Sequence, residues 1–191
     1  RASADRIAQN AAGLRSYAVH VLIVTSHSSG RVFVGDVAGT VPAGYAAAEP
    51  AATTAPVDTR RLLVHAYYVS SDSSEGAGFP SLRRKRLVAG PAVQVEEVIP
   101  GIDDLQVQYG IDADGDGSAD RWLNAGQFAP SATIVAARLW LRARARKRDV
   151  TWNDATRYAY ANQDETVAPA ERPFRRTVVV KTVRLRNRSA P

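Results

Sequence analysis

The chain is organised around one loop, Asp112-Ala-Asp114-Gly-Asp116-Gly-Ser-Ala-Asp120-Arg-Trp122. Aspartates alternate with small residues, and Gly117 directly follows the third of them. Carboxylates at alternate positions of a tight turn can converge on one point, and glycine permits the sharp bend that this requires. Calcium is a hard cation that takes about six to eight oxygen ligands. The spacing therefore predicts a calcium-binding loop.

The predicted calcium ligands are carboxylates and one backbone carbonyl, from Asp112, Asp114, Asp116, Ser118 and Asp120. Ser118 contributes its carbonyl, and Asp120 binds directly or through water. Leu123 stands where a calcium loop between two helices carries a bidentate Glu, so a further ligand must come from elsewhere, with Asn124 as one candidate. The other interpretation is a solvated Asp/Gly turn between strands. Four acids this close repel one another without a counter-ion, which favours the metal.

The sequence on both sides of the loop is typical of β-structure. Leu105–Tyr109 alternates like a strand, and Thr133–Arg146 has the strongest alternation in the chain. In the latter, we expect the Val135 and Leu141 face to meet the core and the Trp140 and Arg142 face to be partly solvated. Other strands are predicted at Tyr17–Val24, Arg31–Val34, Arg61–Val69, Leu82–Ala89 and Phe174–Arg186.

Apart from these strands, we predict one helix and three long loops. Ser3–Leu14 has apolar residues at helical spacing behind a capping serine. The loops are predicted at Val37–Thr59, Ser70–Pro80 and Lys147–Ala170. The fold class expected from these elements is α+β, with one globular domain over residues 1–191.

Composition limits the kinds of function. The chain has 191 residues, no cysteine, a formal net charge of +6 and a pI of about 10.0. The lack of cysteine excludes disulfides and thiolate sites, and no run approaches the roughly 18 apolar residues of a membrane helix. Because the chain starts at Arg1, we expect a processed or truncated N-terminus.

Two basic clusters account for much of the positive charge. They are Arg83, Arg84, Lys85 and Arg86, and the alternating Arg142, Arg144 and Arg146. Alternate arginines project from one face of a strand, so the second cluster could bind phosphates or acidic protein surfaces. The other interpretation is a solvated strand face whose charges discourage aggregation. Nucleic-acid binding is not the favoured alternative.

We find no catalytic motif in the sequence. His20, His27 and His65 are far apart and lie outside any recognisable motif, and there is no nucleophile-elbow or phosphate-cradling glycine loop. We therefore predict a protein that is not an enzyme.

Three strings resemble the PilW-type minor pilins of bacterial type IV pili. They are Glu97-Val-Ile-Pro-Gly-Ile-Asp-Asp-Leu-Gln-Val-Gln-Tyr-Gly110, Val135-Ala-Ala-Arg-Leu-Trp-Leu141, and Arg175-Arg176 leading to Thr182-Val-Arg-Leu-Arg-Asn-Arg188. Their order and spacing match the family from about Arg60 to Arg188, whereas the N-terminal third resembles it much less.

The resemblance implies a pilin fold, in which an N-terminal helix, truncated here, packs on an antiparallel sheet. It implies a precursor held in the inner membrane by a helix absent from this chain, then passage through the periplasm into the extracellular pilus. The implied function is structural, in a tip or priming complex with other minor pilins and a tip adhesin. The alternative function is an extracellular, calcium-stabilised module that binds nucleic acid or glycan.

Overall fold

A computed structural model describes residue 7 and residues 11–25, 29–43, 45 and 58–185. The chain divides into two compact units: Arg1–Tyr67 with Arg84–Glu96, and Tyr68–Arg83 with Glu97–Pro191. The first six strands are β1 (Val21–Thr25), β2 (Gly30–Val34), β3 (Asp58–Arg61), β4 (His65–Ser70), β5 (Ser81–Val88) and β6 (Ala92–Pro100). The others are β7 (Ile102–Asp112), β8 (Arg121–Asn124), β9 (Thr133–Arg144), β10 (Arg157–Tyr160), β11 (Gln163–Thr166) and β12 (Arg176–Arg184).

The α+β prediction, with an N-terminal helix packed on the sheet, is wrong. Among the described residues there is one α-helix, α1 (Ala11–Arg15), and one 3-10 turn at Pro169–Glu171, and the architecture is nearly all β. Helices this short are marginal without tertiary support, and Gly13 weakens this one further. Ile7 buries its side chain by forming a β-bridge with Thr59 instead of extending a helix. The rest of the predicted helix before Ala11 lies outside the described residues.

The first unit is built on a small antiparallel sheet with the strand order β2-β1-β3. Leu22 and Val24 of β1 are fully buried, as the apolar run predicted for a core strand. Leu22 packs with Ile7 and Leu14, and this cluster is the core of the unit. Most of the predicted Val37–Thr59 loop lies outside the described residues.

The second unit is built on an antiparallel sheet with the order β12-β9-β7-β8. The central pair aligns Leu105 with Leu141 and Gln108 with Arg138, and β12 lies at the edge of the sheet. A further sheet, ordered β4-β5-β6, contributes residues to both units. In the described ranges, no helix is long and apolar enough to cross a bilayer.

The burial of β9 differs from its prediction. Trp140 and Arg142 are among the most buried side chains of the strand, whereas Leu139 and Leu141 are only half-buried. The reason is a hairpin, β10–β11, in the segment that we predicted as a loop. Tyr160 of this hairpin stacks on Trp140, with ring centroids 6.3 Å apart. The hairpin therefore covers the face that alternation alone assigned to solvent.

Candidate metal centre

The aspartate loop connects β7 to β8, which pair in an antiparallel hairpin. The strands close on each other at the loop, where the Asp120 amide donates to the Ile111 carbonyl at 2.9 Å. Both flanks are therefore strands, and the loop has the form of a long hairpin turn. Alternation predicted the strand before the loop, whereas β8 was not predicted.

Three of the predicted ligand residues converge in the structure. One carboxylate oxygen from each of Asp112, Asp114 and Asp116 lies within 4.8 Å of the other two. Asp112 is buried, while Asp114 and Asp116 are exposed. This arrangement offers a cation three charged oxygens from one side and leaves the other side open to water.

Backbone amides hold the loop in this shape. Asp112 accepts through Oδ1 from the Gly115 amide at 2.7 Å and through Oδ2 from the Gly117 amide at 2.9 Å. Both glycines have left-handed backbones, with φ of 86° and 80°, a conformation that side chains disfavour. A buried aspartate and two glycines therefore preform the turn.

The remaining predicted ligand residues have different roles in this geometry. The Asp120 carboxylate accepts from the Ala113 amide at 2.6 Å, and it is not among the three converging carboxylates. The Ser118 amide donates to Asp116 at 2.6 Å, which holds Ser118 beside the aspartates. Asn124 lies opposite Gln108 in the β7–β8 ladder, three residues beyond Arg121 at the base of the loop. At the rise of a strand this is about 10 Å from the loop, so Asn124 is poorly placed as a calcium ligand.

One contact to the loop comes from far along the sequence. Arg184, the last residue of β12, donates from Nη2 to the Gly117 carbonyl at 3.0 Å. The side chain thus ties the turn of the aspartate loop to the edge strand of the sheet. No sequence pattern signalled this contact.

The Arg83–Arg86 cluster does not form one patch. Arg83 donates to the Asp72 carbonyl at 3.1 Å and to Ser81 Oγ at 3.2 Å. Arg84 pairs with Glu96, and Arg86 donates to Gln94 at 2.8 Å. Lys85 is exposed. Neighbouring side chains on a strand point to opposite faces, so this cluster is divided between different surroundings.

The arginines of β9 are engaged in internal ion pairs. Arg142 Nε donates to Asp103 Oδ1 at 2.7 Å, and Arg144 Nη1 donates to Glu171 at 2.6 Å. The side chains of Arg142 and Arg144 are only 8% and 7% exposed. Arg146 is exposed and pairs with Glu75 at 3.1 Å. The three therefore do not form a continuous cationic stripe.

Asp103 connects two buried arginines. Its second oxygen accepts from Arg176 Nε at 2.7 Å, and the Arg176 side chain is 2% exposed. Arg176 also pairs with Asp154 at 3.6 Å and Glu171 at 3.1 Å. No sequence pattern predicted that Asp103 and Arg176, 73 positions apart, would pair. Neither strand signals the pair, because β7 also carries Asp104 and β12 also carries Lys181.

The electrostatics of this network favour a charged Arg142 and a neutral Tyr158. Burial alone lowers the pKa of Arg142, but its hydrogen bond and charge pairing with Asp103 raise the pKa above the ordinary value. Burial, reinforced by a hydrogen bond to Asp154, raises the pKa of Tyr158 to about 12. The network borders a cleft of about 380 Å³. The arginines that line this cleft are already paired with carboxylates, so the cleft has little unbalanced positive charge to attract an anion.

A comparison with protein families gives one match. Residues 66–187 match the model of the family PilW, described as type IV pilus-assembly protein W. The match begins in β4 and ends just after β12, so it includes the aspartate loop and the Asp103 network. No curated protein and no solved structure matched the chain.

Proposed function

Because the chain belongs to the PilW family of type IV pilus-assembly proteins, we propose that it is a non-enzymatic minor pilin. The observation that carries the proposal is the family match over residues 66–187. The ion pairs of the second unit support a structural role, because they connect the strands of the sheet to the segment between β9 and β12.

The proposed subunit has a calcium-stabilised loop. Support comes from the converging carboxylates of Asp112, Asp114 and Asp116 and from the amides that hold the turn. Asp120 and the Ser118 carbonyl complete the proposed ligand set, directly or through water. The loop lacks a bidentate Glu, so we expect a dissociation constant of about 10⁻⁵ to 10⁻³ M, in the range of weaker calcium sites.

The proposed partners are other minor pilins and a tip adhesin, in a tip or priming complex. A pilus is a head-to-tail assembly, in which each subunit presents different faces to its two neighbours. Charged surfaces suit such contacts, because complementary charge fixes register and excludes wrong partners. The proposed location is the cell envelope before assembly and the extracellular pilus afterwards.

Deletion of the gene should reduce the number of surface pili, because the tip complex would lack one subunit. A chain with both Asp114→Ala and Asp116→Ala should restore pili only in part, since the loop would lose two of three converging carboxylates. Electron microscopy of pili and a pilus-dependent movement assay measure both effects. Asp164→Asn is the matched control, because this exposed aspartate lies outside the loop and pairs with exposed Arg157. Normal pili and normal movement in the deletion strain would contradict the proposed minor-pilin function.

The alternative, a nucleic-acid-binding module, has less support once the β9 arginines are located. Of that cluster, only Arg146 is exposed. We therefore expect no DNA binding at about 150 mM salt, where non-specific contacts are largely screened. Fluorescence anisotropy with a labelled duplex measures it. Tight binding at this salt that disappears when Arg146, Lys147 and Arg148 are neutralised would favour the alternative.

A further inference from the structure

The first unit contains a small basic pocket that the aspartate loop and the ion-pair network do not involve. Its volume is about 220 Å³. Four of its lining residues are cationic or can become so, namely His20, Arg61, His65 and Arg86. The rest of the lining is aliphatic, from Leu63, Leu87, Val88 and Ala89. No acidic residue is among the described residues that line it.

The nearby carboxylate, Glu96, hydrogen-bonds to Arg84 and lies at ion-pair distance from Arg86. Glu96 accepts from Arg84 Nε at 2.5 Å, and Arg86 Nε lies 3.8 Å from the same Glu96 oxygen, beyond hydrogen-bond distance. Arg86 Nε is buried and has no hydrogen-bond partner within the described part of the chain. A buried donor without an acceptor is costly, which makes a bound acceptor favourable. Arg61 is exposed and lies at the end of β3.

The pocket is held by a strained backbone segment. Val19, beside His20, has a φ of 59°, which is an outlier for a β-branched residue. Its amide donates to the Gly35 carbonyl at 2.8 Å, and its carbonyl accepts from the Gly90 amide at 2.7 Å. These bonds fix the start of β1 against the turn that follows β5. Strain of this kind persists only where the surroundings impose it, and it is common at binding sites.

His20 is oriented by its own backbone neighbourhood. Its Nδ1 lies 3.0 Å from the Ala18 carbonyl, which can only accept, so Nδ1 must carry the proton. The ring also packs edge-on against Tyr17, with centroids 5.7 Å apart. Nε2 is then the nitrogen left for a ligand.

We propose that this pocket binds a carboxylate on a short aliphatic stem, the chemistry of a glutamate or aspartate side chain from another pilus subunit. The cations and the unsatisfied Arg86 donor would bind the carboxylate, and the aliphatic wall would contact its methylene groups. Inorganic phosphate fits less well, because it has no apolar part to meet that wall. The inference rests on the proposed pilin function for the source of the carboxylate, although not for the chemistry of the pocket.

The test uses small anions and the isolated protein. We expect glutarate to shift amide resonances in ¹⁵N spectra at residues 19–20, 61–65 and 86–89, with inorganic phosphate producing smaller shifts at equal concentration. Arg61→Ala should weaken glutarate binding about tenfold, the loss of one charge-assisted hydrogen bond. Arg61 is exposed, and spectra of the unliganded variant would check its fold. Arg86→Gln provides a second variant, and Lys85→Ala, its exposed neighbour on β5, should bind glutarate normally.

Three results would overturn the inference: no shifts with glutarate, shifts spread evenly over exposed basic residues, or tighter binding of phosphate. Each of these results is measured on the isolated protein and does not depend on pilus assembly. If glutarate binds but the deletion strain makes normal pili, the pocket stands and the minor-pilin function fails. If pili are lost but glutarate does not bind, the minor-pilin function stands and the proposed pocket fails.

Discussion

Replacement of Asp103 by asparagine should lower the free energy of unfolding by about 3–5 kcal/mol, the usual cost of removing one partner from a buried ion pair. Asp103 accepts from Arg142 and Arg176, at 2.7 Å in each case. Their side chains are 8% and 2% exposed. An asparagine keeps the size and one oxygen but removes the one negative charge that the two guanidinium groups share.

Chemical denaturation followed by tryptophan fluorescence measures this loss. The matched control is Asp164→Asn, which removes the same charge from a solvent-exposed pair with Arg157 and should leave the midpoint almost unchanged. A loss below roughly 1 kcal/mol for Asp103→Asn would contradict the prediction, since it would place this pair among weak surface ion pairs.

Calcium should raise the thermal stability of the protein, and a chelator should reverse the gain. At free calcium about a hundredfold above the dissociation constant, binding adds about 2.7 kcal/mol to the free energy of unfolding. Asp116→Asn should abolish the gain while keeping an oxygen for the Ser118 amide, which donates to Asp116 in the structure. Asp112 is less useful for this test, because both of its oxygens accept loop amides even without a metal.

Melting curves with calcium and with chelator, together with titration calorimetry, decide the matter. Asp164→Asn again serves as the control, because it removes a carboxylate outside the loop and should keep the full calcium shift. Superimposable curves for the unaltered protein, with no heat on calcium addition, would exclude the site.

Much of the second unit could be predicted because its signals are local. Alternation identified β9, and the apolar run from Val178 identified β12 within two residues at each end. The loop between β7 and β8 was also predictable, since alternating aspartates with glycines specify both a turn and a set of oxygens. The convergence of Asp112, Asp114 and Asp116 follows from spacing alone.

The parts that could not be predicted depend on contacts between distant segments. Nothing near Arg142 in sequence shows that Tyr158 will lie over its guanidinium, at 4.8 Å from the ring centroid. Tyr158 belongs to the β10–β11 hairpin, and without this hairpin the alternating arginines of β9 would be typical of a solvated strand face. The helix prediction failed for a related reason, because Ile7 finds its partner at Thr59, more than fifty residues away.

The bond from Arg184 to Gly117 is a contact of the aspartate loop that forms late in the order of folding. Its two residues are 67 positions apart, and β12 must dock on β9 before the guanidinium can reach the loop. Closure over such a separation is entropically costly and comes after the local hairpin of β7 and β8 has formed. The contact between Arg184 and Gly117 would therefore distinguish the completed sheet from an intermediate in which the edge strand is still detached.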